Sequence, residues 1–177
     1  MRKVVLTFGL IAGAIMSAIM LLGIPFKEEI GFDRGAIVGY TSMVLAFLMV
    51  FFGVKSYRDN VAGGQVSFGR ALQVGLLITL VATICYVATW QLAYHQFMPD
   101  FASDYATYSL EKARASGASA EELARQTQRM NEYIEMYRNP LVNIALTFLE
   151  PLPVGLVFTL VTAGVLSRGR RADATVA

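Results

Sequence analysis

Four long apolar runs limit what this chain can fold into. They cover residues 4–24, 36–54, 71–94 and 141–166, and each is close to or longer than the roughly 20 residues that a membrane-spanning helix needs. The chain is 55% hydrophobic and only 16% charged, which excludes an ordinary soluble domain. We therefore predict an all-α, polytopic membrane protein with four transmembrane helices, forming one integral membrane domain over residues 1–177.

Small residues recur every fourth position in the first run, at Gly9, Gly13 and Ser17. This small-xxx-small pattern lets two helix backbones approach closely in a membrane, where lipid supplies no hydrophobic drive for helix association. We expect this face to pack on another helix. The pattern leaves open whether that helix belongs to the same chain or to a second copy.

The last run contains a buried charge. Glu150 is the only ionisable residue between Pro140 and Arg168, and it lies about 13 Å from the start of the run at helical rise. An acidic residue at the centre of a membrane helix costs about 2.5 to 3.5 kcal/mol on translocon scales, and it usually faces a bundle interior or a wet cavity. Glu150 is therefore the candidate functional carboxylate.

Two prolines follow this carboxylate, Pro151 and Pro153, and Gly155 comes next. Each proline removes a backbone donor and clashes with the preceding turn, so the helix should kink or break. Broken helices at midplane sites are also found in transporters. The sequence leaves open whether the run is one kinked helix or two half-helices, and Gly155 would allow a close helix approach.

Residues 95–140 form the one long polar segment. A first helix can start near Pro99 and stop at Gly117, while Ser119 followed by Glu122 is a capping-box match that opens a second helix. We predict a helical hairpin that lies over or on the membrane surface.

Two shorter connections join the earlier runs. Residues 25–35 are charged and contain Gly31 and Gly35, so we expect a turn there. Residues 55–70 are basic, and Ser67 is a candidate N-cap for the third run.

Lysine and arginine predict the orientation. Segments 1–3, 55–70 and 167–177 together hold eight of them, whereas the nearly twice longer segments 25–35 and 95–140 hold seven. Because positive charge favours the cytoplasmic side, we expect both termini in the cytoplasm and the hairpin outside it. Six of the eight are also candidate contacts for anionic lipid; these are Lys55, Arg58, Arg70, Arg168, Arg170 and Arg171.

No cofactor or metal is expected. His95 is the only histidine and Cys85 the only cysteine, with no ligand spacing around either. Nucleic acid is not an expected partner, because the basic C-terminal residues are explained as a topology anchor. The expected partners are the lipid bilayer and a second copy or another membrane protein.

Several motifs resemble a bacterial membrane family catalogued as domain of unknown function 4199. They are Phe51-Phe52-Gly53-Val54-Lys55-Ser56-Tyr57-Arg58-Asp59, Gly64 with Ser67-Phe68-Gly69-Arg70-Ala71, Tyr86 with Trp90, Asp100-Phe101 with Tyr105, Tyr137-Arg138-Asn139-Pro140, and Glu150-Pro151-Leu152-Pro153-Val154-Gly155. The resemblance spans most of the chain and implies a four-helix protein of the bacterial inner membrane. It implies no activity, substrate or catalytic residue.

Three classes of function fit these features. The first is a structural, interaction or accessory role, with Glu150 protonated or hydrogen-bonded to Ser17, Thr79, Thr83 or Tyr86. The second is a proton- or cation-linked small transporter or transporter subunit that uses Glu150 and, with only four helices, works as a dimer. The third is an intramembrane enzyme, which is not expected because we find no nucleophile, metal or second carboxylate at the depth of Glu150.

Overall fold

The structure, a computed structural model, describes residues 1–167, so Arg168, Arg170 and Arg171 lie outside the described residues. Within that range the protein is all-α and contains no strand, which confirms the predicted class. The α-helices of the described residues are α1 (Arg2–Gly23), α2 (Lys27–Asn60), α3 (Phe68–Phe97), α4 (Phe101–Ala115), α5 (Ala120–Arg138), α6 (Pro140–Leu149) and α7 (Leu152–Leu166).

Among residues 1–167, three helical stretches are long and apolar enough to cross a membrane: Arg2–Asn60, Phe68–Phe97 and Pro140–Leu166. The first of them is 59 residues long and contains the first two apolar runs, but it is not one straight helix, because the 3₁₀ turn at Ile24–Phe26 and the non-helical Gly31 interrupt it. The structure thus supports a membrane protein with three such stretches, whereas the sequence predicts four separate spans.

The turn expected within residues 25–35 is present at Gly31, but most of the segment around it is helical. A single 3₁₀ turn covers Ile24–Phe26, and α2 already begins at Lys27. Acidic residues in the first turn of α2 favour a helix start at this point, and they are Glu28 and Glu29. The glycine signal is confined to Gly31, whose φ of 64° and ψ of 174° interrupt α2 at one residue.

Helix α1 packs lengthwise on α3 through its small residues. A Cβ on Gly13 would lie 2.5 Å from the Cβ of Cys85, and Gly9 also faces α3. One turn after Gly13, the hydroxyl oxygens of Ser17 and Thr89 are 2.7 Å apart across 72 residues of chain. Since Gly13 and Cys85 have the same separation in sequence, α1 and α3 run parallel, and the small-residue face is used within this chain.

Helix α2 runs antiparallel to α1. A Cβ on Gly53, near the end of α2, would lie 3.0 Å from the Cβ of Phe8, near the start of α1. Phe47 and Val50 of α2 are fully buried in the same core. Apolar contacts between α1, α2, α3 and α7 therefore form the centre of the bundle.

Helices α6 and α7 run antiparallel to α3. The Gln91 side-chain amide donates to Asn143 Oδ1 at 2.7 Å, and the hydroxyls of Thr79 and Thr159 are 3.3 Å apart. Later residues of α3 thus meet earlier residues of the final stretch. The four long helical segments, which are α1, α2, α3 and α6 with α7, therefore alternate in direction along the chain.

The expected hairpin is present as α4 and α5, which pack on each other. Gly117 has a φ of 80° in the turn between them, a backbone conformation that favours glycine. Ser119 Oγ then accepts from the backbone N–H of Glu122 at 3.2 Å and caps α5. Ser67 caps α3 in the same way by accepting from the N–H of Arg70 at 3.4 Å.

Candidate functional site

A kink in the last stretch positions Glu150. Helix α6 ends at Leu149 and α7 begins at Leu152, while Glu150 (φ −59°, ψ −50°) and Pro151 (φ −79°, ψ −14°) both keep right-handed helical dihedrals. The chain therefore continues as one kinked helical path and does not unwind. Because Pro151 and Pro153 have no N–H, the carbonyls four residues before them cannot receive the usual helical hydrogen bond.

The Glu150 carboxylate is bonded to α3. The Tyr86 hydroxyl donates to Glu150 Oε2 at 2.9 Å, and Tyr86 is only 8% exposed. Of the four hydroxyl partners considered from the sequence, the structure places Tyr86 on the carboxylate. Within residues 1–167, no second side-chain donor lies at hydrogen-bonding geometry to Glu150, so Oε1 keeps its acceptor capacity.

Glu150 lies on the wall of a cavity of about 880 Å³. The cavity is bounded by the second half of α1, the first half of α2, the second half of α3, and parts of α4, α5 and α6. Glu150 retains exposed surface despite its position in an apolar run, because the cavity keeps neighbouring helices away from it. The carboxylate is thus available to a bound species.

Aromatic rings from four helices form one wall of the cavity. We call this set the aromatic wall; it comprises Phe32 of α2, Tyr86 and Trp90 of α3, Phe101, Tyr105 and Tyr108 of α4, and Tyr133 and Tyr137 of α5. Most of its rings are in direct contact: Trp90 and Phe101 have centroids 4.9 Å apart, and Tyr133 and Tyr137 have centroids 5.3 Å apart. Edge-to-face and tilted pairs at these distances stabilise the arrangement of the rings.

Burial affects the hairpin tyrosines of this wall. Desolvation raises the pKa of Tyr133 to about 12, and it also raises the pKa of Tyr137. Both phenols are therefore neutral at physiological pH and present uncharged rings to the cavity.

Two buried polar atoms in this half of α3 have no hydrogen-bond partner within the described residues. They are Trp90 Nε1 and Thr83 Oγ1. Trp90 lines the cavity with other atoms of its side chain, whereas Nε1 itself is buried. A buried donor without an acceptor is costly.

Asn143 is a buried polar residue that sequence reasoning missed. It is 1% exposed, accepts from Gln91, and donates to the Tyr137 carbonyl at 3.4 Å. The network fixes the start of α6 against α3 and α5 about two turns before Glu150. An amide in an apolar run is a signal that could have indicated it.

A polar clasp closes the outer end of the aromatic wall. Lys112 Nζ of α4 donates to both carboxylate oxygens of Asp33, at 2.7 and 3.0 Å, and it lies 5.5 Å from the centroid of the Tyr108 ring. These hydrogen bonds lower the pKa of Asp33 and raise the pKa of Lys112. The clasp joins the first half of α2 to the hairpin.

Lys55, Arg58 and Arg70, the residues considered for lipid contact that the structure describes, lie at the opposite end of the bundle. Lys55 and Arg58 both pair with Asp59, at 3.1 and 2.7 Å, and Arg70 donates to Gln73 at 2.8 Å. They flank the connection between α2 and α3, far along both helices from Glu150. The structure does not bring them into the cavity.

The described residues contain no group of three or more His, Cys, Asp or Glu side chains arranged to hold a metal ion. Within residues 1–167 the cavity thus offers one carboxylate at its inner end and aromatic rings along its wall. This arrangement can bind a positive charge, but it provides no acid–base pair at the carboxylate.

The aromatic wall was the main feature that the sequence could not reveal. Neighbours on one helix recur at helical spacing, but no spacing in the chain links the four helices to one another. Phe32 also lies in a segment interpreted as a turn. Sequence reasoning identified Glu150, Pro151, Pro153 and the nearby Gly155, whose added Cβ would meet Thr79. It did not identify the space beside them.

Searches of curated proteins and of solved structures found no match to the chain. A family model described as a protein of unknown function, DUF4199, matches residues 7–168, from the first turns of α1 to the end of α7. This match covers the kinked final stretch, the hairpin and the cavity, and its description assigns no activity. The chain belongs to the DUF4199 family of proteins of unknown function.

Proposed function

We propose that the chain crosses the membrane four times and that Arg2–Asn60 contributes two of the crossings. A stretch of 59 residues is far longer than the roughly 20 residues of one crossing. The kink at Gly31 and the antiparallel packing of α1 on α2 support a return within this stretch. The alternating directions of α1, α2, α3 and the final segment (α6 with α7) are consistent with four crossings.

The proposed orientation has both termini in the cytoplasm of a bacterium, with the protein in its inner membrane. In the described residues, the start of α1 and the α2–α3 connection lie at the same end of the bundle, and they carry Arg2, Lys3, Lys55, Arg58 and Arg70. Clustered positive charge favours the cytoplasmic side. The α4–α5 hairpin is then extracytoplasmic, and a reporter inserted after Ser116 that behaves as cytoplasmic would contradict this orientation.

Within this frame the protein is a small membrane-embedded binding protein that holds a proton or a cation at Glu150, as a transporter or transporter subunit does. The observation that carries this proposal is the position of the carboxylate on the wall of an 880 Å³ cavity with one hydrogen bond, from Tyr86. A carboxylate in an apolar segment that lines a cavity commonly marks an ion or substrate path.

A purely structural role for Glu150 explains less of the geometry. A structural carboxyl would be sealed against its partner helix, as Asn143 is sealed against Gln91. The small-residue face of α1, which could have served a scaffold of several copies, packs on α3 of its own chain. The proposal therefore assigns binding to Glu150 and no bond-making chemistry.

The test is the reaction of Glu150 with dicyclohexylcarbodiimide in full-length protein reconstituted in lipid. The reagent is apolar and reacts with protonated carboxyls, so labelling of Glu150 should fall as pH rises and should slow when a bound cation occupies the site. Mass spectrometry of the peptide that contains Glu150 identifies the labelled residue. Glu132→Gln serves as the matched control, since Glu132 does not line the cavity, and it should leave labelling unchanged.

Other titratable groups share the cavity and must be followed in the same pH scan. They are Lys27, Glu28 and Tyr40 of α2, Tyr86 of α3, Asp104, Tyr105 and Tyr108 of α4, and Tyr133 and Tyr137 of α5. A Tyr86→Phe variant should remain reactive, because the phenol donates to Glu150 and does not react in its place. Absence of labelling at every pH, in protein shown to be folded, would overturn the proposed function.

A further inference from the structure

We propose that the occupant of the cavity is a small organic cation, a protonated amine or a quaternary ammonium, with its charged group at Glu150 and its apolar body on the aromatic wall. This inference rests on the proposed function and names the class of cation. It follows from the charge, the size and the chemistry of the lining residues, taken in turn below.

Charge is the first argument. Among the lining residues that the structure describes, Glu150 is the only carboxylate or amine at the inner end of the cavity, since Lys27 and Glu28 lie at the start of α2 and Asp104 lies on the hairpin. A carboxylate in an apolar environment interacts more strongly with an opposite charge than it would in water. The inner end therefore selects a positive group.

Size and ligand count separate organic from inorganic cations. A hard metal ion requires several oxygen ligands at short range. The cavity has one carboxylate at its inner end, with Glu28 and Asp104 elsewhere on its lining, and no metal-binding group of three side chains within residues 1–167. The space is about 880 Å³, within the range of pockets for small organic molecules. An inorganic ion would leave most of this space unfilled.

The lining is the third argument. Rings of Tyr, Trp and Phe attract cations through their faces. They can bind an alkylammonium group without the set of oxygen ligands that a hard metal ion requires. Tyr86, which bonds Glu150, and Trp90, one turn further along α3, connect the carboxylate to the rest of the aromatic wall. A ligand with a cationic head and an apolar body contacts both features at once.

The protein carries its own reporter for this binding. Trp90 is the only tryptophan in the chain, and it lines the cavity. Benzyltrimethylammonium is a suitable probe because its charge does not depend on pH and its ring can stack on the wall. Titrated into full-length protein in lipid nanodiscs, it should change Trp90 emission with saturation, whereas benzyl alcohol, which keeps the ring without the charge, should not saturate the site.

Variants separate the two parts of the proposed site. Glu150→Gln should weaken binding of benzyltrimethylammonium by roughly tenfold or more, because it removes the charge and keeps the side-chain size. Tyr133→Leu should weaken it by about two- to thirtyfold, the range for loss of one cation–π contact. Phe52→Leu is the matched aromatic control, since Phe52 does not line the cavity. This variant should bind benzyltrimethylammonium with the affinity of the wild type.

Wild-type protein gives a second readout that does not depend on folding of a variant. Benzyltrimethylammonium should slow carbodiimide labelling of Glu150, and sodium at the same concentration should slow it less. Protection by sodium without binding or protection by the organic cation would overturn the inference and leave the proposed function standing. Absence of labelling at every pH would overturn the proposed function, and saturable binding unchanged by Glu150→Gln would overturn the inference.

Discussion

Replacing Gly13 with alanine tests whether the small-residue face of α1 is committed to α3. A Cβ at this position would lie 2.5 Å from Cys85 Cβ and 2.9 Å from its Sγ, whereas carbon atoms in contact are about 3.5 to 4.0 Å apart. The Cys85 Cβ is fixed to the backbone and cannot rotate away. Relief therefore requires α1 and α3 to separate by about 1 Å.

The expected cost follows from two opposed terms. Overpacking a well-packed interface costs about 1 to 3 kcal/mol, and the lack of a movable neighbour places Gly13→Ala in the upper part of that range. Alanine in place of glycine within a helix returns up to about 1 kcal/mol. We expect a net loss of about 1 to 2 kcal/mol in the free energy of unfolding.

The assay is unfolding of the purified protein in mixed micelles at rising mole fractions of sodium dodecyl sulfate, followed by far-ultraviolet circular dichroism. Gly164→Ala on α7 is the matched control, because a Cβ there meets nothing within 4 Å, and it should be neutral or slightly stabilising. A double variant, Gly13→Ala with Cys85→Gly, moves the Cβ from α3 to α1 and should recover most of the interface cost. Equal stability of Gly13→Ala and Gly164→Ala would refute the reasoning, and so would a loss that Cys85→Gly does not relieve.

Three further predictions concern the hairpin and the start of α6. Ser119→Ala removes the N-cap of α5 and should lower the local stability of its first turn by about 1 kcal/mol, read by amide hydrogen exchange. Lys112→Gln, or 0.5 M salt in the wild type, should increase amide exchange in α4 by breaking the Lys112–Asp33 ion pair. The pairing lowers the Asp33 pKa and raises the Lys112 pKa. The ion pair therefore persists at pH 7 and is lost in acid, below the usual aspartate pKa of about 4. Asn143→Leu removes a buried amide and leaves the half-buried Gln91 amide unpaired, and it should lower the free energy of unfolding by about 1 to 3 kcal/mol, whereas the double variant with Gln91→Leu should recover part of it.

Local signals in the sequence predicted the helices better than the site. The apolar runs, the Ser67 and Ser119 caps and the Gly117 turn depend on neighbouring residues, and the structure contains each of them. The turn expected over residues 25–35 is confined to Gly31, because acidic first-turn residues favour a helix start before it. These signals come from residues close together in the sequence, so a single sequence is enough to recognise them.

The site divides along the same line. Glu150 was identifiable because a charge in an apolar run is anomalous by itself, and the prolines beside it are helix breakers in any context. The aromatic wall was not identifiable, because its rings come together only through the packing of α2, α3, α4 and α5. Which hydroxyl bonds Glu150 was likewise decided by the register between α3 and α6, which the sequence left open among four residues.

The 64 residues between Tyr86 and Glu150 set the order in which the cavity is built during synthesis. At about 5 to 20 residues per second, roughly 3 to 13 seconds separate the two residues on the ribosome. During that interval α3 is complete, while the carboxylate that accepts from Tyr86 and the amide that accepts from Gln91 do not yet exist. In a nascent chain that stops before Pro140, the Tyr86 hydroxyl and the Gln91 amide have no acceptors from the final segment. Synthesis of that segment therefore distinguishes a finished protein from an aborted one.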